Sequence, residues 1–238
     1  MFATIEALRD VVVANRILAR EGVVDGYGHV TMRHPDDPER YLMSRSRSPE
    51  LVTLDDILEF RLDGDVIDGR GYSFYAERYI HGAIYETRPD VMAIVHNHSN
   101  DVIPFTISKE PLRPVLHTAA PIGGHIPVWD IRDNFGDTNL LVTNMDQGRD
   151  LARGLGDDTV VLMRGHGCAV VGPSIHAAVL TSVYLQVNAR ILAVARGFGE
   201  VTYMSPGEIE LMTEVSLGEL AMSRVWEYFR RRAGMGDG

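Results

Sequence analysis

Two histidines at the end of an apolar segment are the residues of this chain best suited to metal chemistry. His96 and His98 follow the apolar run at 91–95, which predicts a buried strand. Side chains two positions apart on a strand lie on the same face, so both imidazoles can bind one divalent cation. His166 stands between two glycines, which allow the backbone to approach a ligand closely. Three histidine ligands with an open coordination position are typical of a catalytic metal.

The elements that must hold these histidines are helices and short strands. Helical periodicity predicts a helix over 4–21 and a long helix over 174–196 that ends at Gly197. Strands are predicted at 29–33, 41–44, 58–62, 159–163 and 168–171, helices at 76–87 and around 151–155, a helical turn after Thr53 and a capping box at 205–208. The sequence contains no repeat, no linker and no glycine-rich dinucleotide fingerprint. It therefore predicts one α/β domain over 1–238, with a mixed or largely antiparallel sheet covered by helices on both faces.

Composition narrows the class of protein. The chain has 238 residues, of which 45% are hydrophobic and 24% charged, as in an ordinary globular domain. Its net charge of −10 argues against a nucleic-acid partner. We expect no membrane partner, because no apolar run approaches roughly 20 residues and no basic signal sequence is visible. The single cysteine, Cys168, fits a reducing cytoplasm and is expected to fill a small buried slot.

Five motifs, taken together and in order along the chain, resemble the class II aldolase and adducin family. They are Gly28-His29-Val30-Thr31, Met43-Ser44-Arg45-Ser46, Glu77-Arg78-Tyr79-Ile80-His81, His96-Asn97-His98 and Gly165-His166-Gly167. The resemblance implies an α/β/α fold around a mostly antiparallel sheet, and a C4 homotetramer with active sites at subunit interfaces. It also implies that His96, His98 and His166 are the metal ligands. Glu77, at the start of its helix, is then the catalytic acid and base.

Departures from the family's aldolase pattern indicate a different substrate. A fuculose-phosphate aldolase holds phosphate with an Asn, a Thr-Gly pair and a Ser-Ser pair, where this chain has His29, Ser44-Arg45 and Tyr75-Ala76. A guanidinium favours planar carboxylates through paired hydrogen bonds, and an aromatic ring suits a flat substrate. The alternative is that the aromatic residues belong to the core and the arginines are solvated. The predicted substrate-binding residues are His29, Ser44, Arg45, Ser46, Tyr75 and His117; for His29 and His117 a structural role is the alternative.

The segments 44–46, 112–115 and 126–133 resemble the family branch that decarboxylates products of aromatic catabolism. The function expected is therefore a metal-dependent decarboxylase of a hydroxylated aromatic acid or its ring-cleavage product, of the dihydroxyphthalate or hydroxy-carboxymuconic semialdehyde type. The mechanism expected is a metal-stabilised enolate protonated by Glu77. The alternatives are a class II aldolase or epimerase acting on a sugar phosphate, and a non-catalytic adducin-like binding module.

Two further features of the chain have alternative interpretations. Three imidazoles suit Zn²⁺, whereas oxygen donors from Glu77 and the substrate also accommodate Mn²⁺, Mg²⁺ or Co²⁺; we expect Zn²⁺ or Mn²⁺ first. Trp226 and Tyr228 near the C-terminus either reach a neighbouring subunit's site, as C-terminal aromatic residues of the family do, or pack an amphipathic helix.

Overall fold

The computed structural model describes residues 4–236, so the expected domain, 1–238, extends beyond the described range at both ends. The helices are α1 (Ile5–Arg20), α2 (Arg78–Thr87), α3 (Ile103–Thr106), α4 (Arg132–Phe135), α5 (Met145–Leu155), α6 (Ile175–Arg196), α7 (Pro206–Leu217) and α8 (Glu219–Arg232). The strands are β1 (His29–Arg33), β2 (Arg40–Ser44), β3 (Ile57–Arg61), β4 (Ala93–Asn97), β5 (Val128–Trp129), β6 (Val160–Met163) and β7 (Gly167–Gly172).

All seven strands form one sheet, in the order β3-β2-β1-β4-β7-β6-β5. Every neighbouring pair is antiparallel except β5 and β6, which are parallel. The expected fold class, a mostly antiparallel sheet in an α/β domain, is therefore confirmed. In the centre of the sheet, β4 lies between β1 and β7, so His96 has His29 directly opposite on one side and Ala169 on the other.

The two faces of the sheet are covered by different helices. Ala93 and Val95 of β4 pack with buried residues of α1 and α6, whereas Ile94 packs with those of α2 and α5. His96 lies on the Ile94 face, because side chains alternate along a strand. The predicted metal-binding histidine of β4, His96, therefore faces the α2 side, where Glu77 stands at the N-terminal end of α2.

The predicted helix starts are confirmed by their caps. Thr4 and Ser174 accept hydrogen bonds from Ala7 N and Ala177 N, at the first turns of α1 and α6. Ser205 and Glu208 form the expected capping box at α7, with Pro206 at the first helical position. A side-chain oxygen at each start satisfies a backbone donor that has no partner inside the helix, and this fixes where the helix begins.

Some elements were not predicted. The short β5, α3 and α4 lack a periodic apolar signal, because they contain only two to four residues each. The expectation that no segment approaches membrane-spanning length was wrong in one respect. By length and composition α6 passes that test, with a mean hydropathy of 1.4 over its most apolar window. However, 67% of that window is buried inside the protein, as in the core helix of a soluble domain.

Candidate metal centre

The three predicted histidine ligands converge on one point at the end of the sheet. Nε2 of His98 lies 2.9 Å from Nε2 of His96 and 3.0 Å from Nε2 of His166. Glu77 completes the group, with Oε2 at 3.5 Å from His96 Nε2 and 3.4 Å from His166 Nε2. One donor atom from each of these four residues lies within 4.8 Å of all the others. The structure thus brings together the predicted ligands and the predicted acid/base.

The strand arrangement explains this convergence. His98 follows the end of β4, and His166 belongs to the three-residue turn between β6 and β7. Because β4 and β7 are antiparallel, with Asn97 opposite Cys168, the end of β4 and the start of β7 lie side by side. Gly165 has a φ of +64°, a conformation that favours glycine and closes this turn.

Hydrogen bonds to backbone carbonyls fix which nitrogens point inward. His96 Nδ1 donates to the carbonyl of Cys168 at 3.1 Å, and His166 Nδ1 donates to the carbonyl of Leu140 at 3.0 Å. A carbonyl only accepts, so in the neutral rings both Nε2 atoms carry lone pairs. Burial and the neighbouring histidines lower the pKa of His98 to about 3, so the His98 ring is neutral near pH 7. Lone pairs that face one another at about 3 Å fit a shared cation.

Glu77 is buried yet ionised. Its Oε1 accepts a hydrogen bond from the backbone N–H of Val142 at 3.0 Å, which orients the carboxylate towards the histidines. Burial alone would raise the pKa of Glu77, but the adjacent imidazoles of His166 and His96 outweigh burial and lower it. The ionised carboxylate therefore adds a hard oxygen donor to three imidazoles, a donor set that accepts several divalent metals.

His29 and Tyr75, both predicted to bind substrate, lie beside the metal ligands. The His29 ring is 5.0 Å from the His96 ring and 4.6 Å from the Tyr75 ring, measured between centroids. Tyr75 donates its hydroxyl proton to the Arg47 carbonyl, which fixes the phenol ring next to His29. The structure therefore places an imidazole and a phenol ring at the side of the metal centre.

The predicted carboxylate ligand Arg45 lies in an ion-pair cluster. Its Nε donates to Asp56 Oδ1 at 2.5 Å, and Arg47 Nη1 donates to Asp56 Oδ2 at 2.8 Å. Burial would raise the pKa of Asp56, but hydrogen bonds from Arg45 and Thr53 and the charge of Arg47 lower it to about 2. The Arg45 guanidinium also lies over the Tyr72 ring, 4.8 Å from its centroid. Arg45 thus has a structural partner that sequence reasoning missed.

The remaining predicted residues lie at different depths. Ser44 is buried at the end of β2, whereas Ser46 is exposed and its backbone N–H donates to the Ser73 carbonyl at 2.8 Å. His117 is exposed at the start of a short 3-10 helix, and none of its described contacts joins it to the metal-binding residues. Trp226 stacks on His176 at 4.0 Å, and Tyr228 is 56% exposed.

The single cysteine is confirmed as a buried packing residue. Cys168 is 0% exposed, its carbonyl holds His96, and its Sγ–H donates to Asn97 Oδ1 at 3.4 Å. Burial raises the pKa of the thiol to about 12, against a smaller opposing effect of Asn97. A thiol with that pKa is not the nucleophile of a reaction near pH 7.

No role was predicted from the sequence for His81, Thr31 or Tyr85, which connect His29 to the interior, although the family motifs include His81 and Thr31. Thr31 is two positions after His29 on β1 and therefore shares its face, and His81 and Tyr85 are four residues apart on α2. The sequence signal for these residues was the spacing of polar side chains, two positions apart on β1 and four positions apart on α2. It could not show that β1 packs against α2, because that contact depends on the tertiary fold.

Comparisons with known proteins agree with this site. The family model of the class II aldolase and adducin N-terminal domain matches residues 9–193. The decarboxylase tropJ of Talaromyces stipitatus is 32% identical over 92% of this chain and 91% of its own. The 3,4-dihydroxyphthalate decarboxylase of Arthrobacter keyseri is 30% identical over 75% of this chain and 74% of its own.

Among solved structures, L-fuculose 1-phosphate aldolase from Glaciozyma antarctica PI12 has a TM-score of 0.78 and 23% identity, covering 98% of this chain and 92% of that one. At that identity the likeness supports the fold alone. The family match spans most of the chain and confirms the resemblance of the five motifs, and named decarboxylases stand among its relatives. This protein belongs to the class II aldolase and adducin N-terminal domain family.

Proposed function

We propose that this protein is a metal-dependent decarboxylase of a hydroxylated aromatic acid or its ring-cleavage product, of the dihydroxyphthalate or hydroxy-carboxymuconic semialdehyde type. The observation that carries the proposal is the four-donor cluster of His96, His98, His166 and Glu77, with His29 and Tyr75 beside it. The similarity to tropJ over 92% of the chain supports the same reaction class.

The chain's own residues account for substrate orientation. Within the Arg45 guanidinium, only Nε is hydrogen-bonded to the described residues, so its two Nη groups are available for a substrate carboxylate. The carboxylate bound there is the one that stays, since tight binding of the leaving carboxylate would stabilise the ground state. Tyr75 supplies an aromatic surface for a planar substrate ring. Ser44, Ser46 and His117 are proposed as additional substrate contacts.

Glu77 is proposed to move the proton. Its ionised Oε2 removes the proton of the substrate hydroxyl and delivers it to the carbon that bears the leaving carboxylate. The bond from that carbon to the carboxylate then breaks, CO₂ leaves, and the electron pair stays in the substrate. A proton from solvent restores the hydroxyl, so one proton is consumed in each turnover. The cation supplies a Lewis acid that stabilises negative charge as it develops on a substrate oxygen.

Zn²⁺ or Mn²⁺ is proposed as the resident cation, with Mg²⁺ or Co²⁺ as alternatives. The protein is proposed to be a cytoplasmic homotetramer with active sites at the subunit interfaces. The exposed Tyr27, whose ring centroid is 6.4 Å from that of His98, supports a partner surface next to the metal. Light scattering of the purified protein tests the assembly, because a monomer at working concentration would contradict it.

A substrate panel tests the reaction. Metal-loaded protein is incubated separately with a dihydroxyphthalate, a hydroxy-carboxymuconic semialdehyde and fuculose 1-phosphate, and CO₂ and aldehyde fragments are measured. We expect CO₂ from one of the acids and no aldehyde fragment. Cleavage of the sugar phosphate without CO₂ from either acid would establish the aldolase alternative. Purified protein that binds no divalent metal, even after Zn²⁺ or Mn²⁺ is added, would favour an adducin-like binding module.

A further inference from the structure

A continuous chain of hydrogen bonds leads from the metal centre into the core. His29 Nδ1 lies 2.7 Å from His81 Nε2, and His81 Nδ1 lies 2.8 Å from Thr31 Oγ1. Thr31 Oγ1 is in turn 2.9 Å from the Tyr85 hydroxyl. The four side chains are nearly inaccessible to solvent, with exposed fractions of 0 to 3%. We call these four residues the relay.

The direction of these hydrogen bonds follows from the hydroxyl at the buried end. If the bonds ran inward from His29, Thr31 would donate to Tyr85, and the Tyr85 proton would have no acceptor among the described residues. A buried donor left unsatisfied costs about 1–3 kcal/mol. If they run outward, Tyr85 donates to Thr31, Thr31 to His81 and His81 to His29. Each donor within the chain then has an acceptor, and only the His29 Nε2–H is left for a partner outside these four residues.

The outward direction determines the tautomer of both histidines. His81 must donate through Nε2, and His29 must accept at Nδ1. A neutral His29 ring then carries its proton on Nε2, the nitrogen that the relay does not use. Because one nitrogen of each ring accepts a hydrogen bond and so carries no proton, both rings are neutral in this arrangement. Burial raises the pKa of Tyr85, which keeps its hydroxyl proton.

We propose that Tyr85, Thr31 and His81 are positioning residues that hold His29 as the Nε2–H tautomer, a fixed hydrogen-bond donor to a substrate oxygen beside the metal ligands. This deepens the proposed function and rests on it for the identity of the substrate. His29 lies directly opposite His96 in the sheet. A donor fixed there can stabilise a carboxylate or developing oxyanion without reorganisation during the reaction.

Nuclear magnetic resonance of histidine side chains tests the tautomer directly. The full-length protein is labelled with ¹⁵N-histidine and loaded with Zn²⁺, which is diamagnetic. The signals of His29 and His81 are assigned through their loss in His29→Gln and His81→Gln. Long-range ¹H–¹⁵N spectra then show which nitrogen of each ring is protonated. We expect Nε2–H for both rings, and an Nδ1–H tautomer of His29 would overturn the proposal.

A matched pair of variants tests the positioning role. Thr31→Val keeps the side-chain shape but removes the hydroxyl, whereas Thr31→Ser keeps the hydroxyl. With the active acid, we expect Thr31→Val to lower kcat/KM about fivefold and to mix the His29 tautomers, since one hydrogen bond contributes about 1 kcal/mol. Thr31→Ser should keep the wild-type kcat/KM and the single His29 tautomer.

Two outcomes of these experiments separate the relay from the proposed reaction. If Thr31→Val lowers only the melting temperature and leaves the His29 tautomer unchanged, the role is structural and the proposal fails. If no acid releases CO₂ while His29 still shows Nε2–H, the relay is supported and the proposed decarboxylation fails.

Discussion

Gly167 packs directly against the backbone carbonyl of Asn97, and this contact brings the two halves of the metal centre together. A Cβ on Gly167 would lie 2.1 Å from that oxygen and 3.0 Å from Cδ2 of His98. The end of β4 and the start of β7 therefore lie closer together than a side chain at position 167 would allow. Gly167, next to His166, therefore permits close strand contact, and the prediction that it makes room for a ligand was wrong for this glycine.

Gly167→Ala should consequently separate His98 from His166. We expect a loss of roughly 1–3 kcal/mol in the free energy of unfolding, the usual scale of overpacking, and at least tenfold weaker Zn²⁺ binding. Denaturant titration and competition with a chelator measure the two effects. Gly207→Ala is the matched control, because nothing lies within 4 Å of a Cβ at that exposed position. Wild-type Zn²⁺ affinity in Gly167→Ala would show that the close contact is dispensable.

Removal of a histidine ligand should abolish metal binding and activity together. His96→Ala and His166→Ala each leave two imidazoles and Glu77, so we expect less than one-tenth of the wild-type metal content by elemental analysis. Metal removal from the wild type should lower its melting temperature, because a ligand at 100 times its Kd stabilises by about 2.7 kcal/mol. His125→Ala, which alters an exposed histidine outside the cluster, is the control. A His166→Ala protein with full metal content and turnover would exclude His166 as a ligand.

Glu77→Gln should separate metal binding from proton transfer. The amide retains the shape of the side chain but does not accept a proton, so turnover should fall by about 10² or more. We expect Zn²⁺ to remain bound, because the three imidazoles are unchanged. Glu86→Gln, on the same helix and paired with Arg149 at the surface, is the control. Near-normal turnover in Glu77→Gln would remove Glu77 from the proton-transfer role.

Asp56 should make stability depend on pH at the acid end. Its pKa is about 2 in the folded protein and 3.8 as a reference, so the carboxylate stabilises the fold above pH 4. That contribution is lost as the pH falls from about 4 through 2. We expect Asp56→Asn to cost about 1–3 kcal/mol at pH 6 and less at pH 3, measured by denaturant unfolding. Asp146→Asn, at a side chain 86% exposed, should change neither value. An Asp56→Asn effect that is equal at both pH values would contradict the ion-pair explanation.

Arg45 should bind the substrate carboxylate through its Nη groups while its Nε remains paired with Asp56. Arg45→Lys keeps a positive charge beside Asp56 but loses the planar pair of Nη donors, so KM should rise at least tenfold with little change in melting temperature. Arg45→Ala should raise KM further and also lower stability by about 1 kcal/mol, because Asp56 loses a partner. Arg153→Lys, in an ion pair with Asp150 outside the metal centre, is the control. Wild-type KM in Arg45→Lys would show that the residue is purely structural.

Short stretches of sequence were enough to predict the strand that carries His96, the start of α6 at Ser174 and the capping box at Ser205. Each of these depends on residues close together in the chain: an apolar run, or a hydroxyl next to free backbone donors. The family motifs predicted His96, His98, His166 and Glu77 as the site residues in the same way, since the motifs are visible without a fold.

The groups that surround the predicted site residues, by contrast, depend on the tertiary structure. Three contacts depend on which strands and helices pack together. They are the pairs Asp56–Arg45, Leu140–His166 and His81–His29. Local sequence does not specify those contacts, because segments far apart in the chain meet through burial of both sheet faces. The predicted ligands were therefore readable from the chain, whereas their protonation and orientation are set by the packing of β1, β4 and α2.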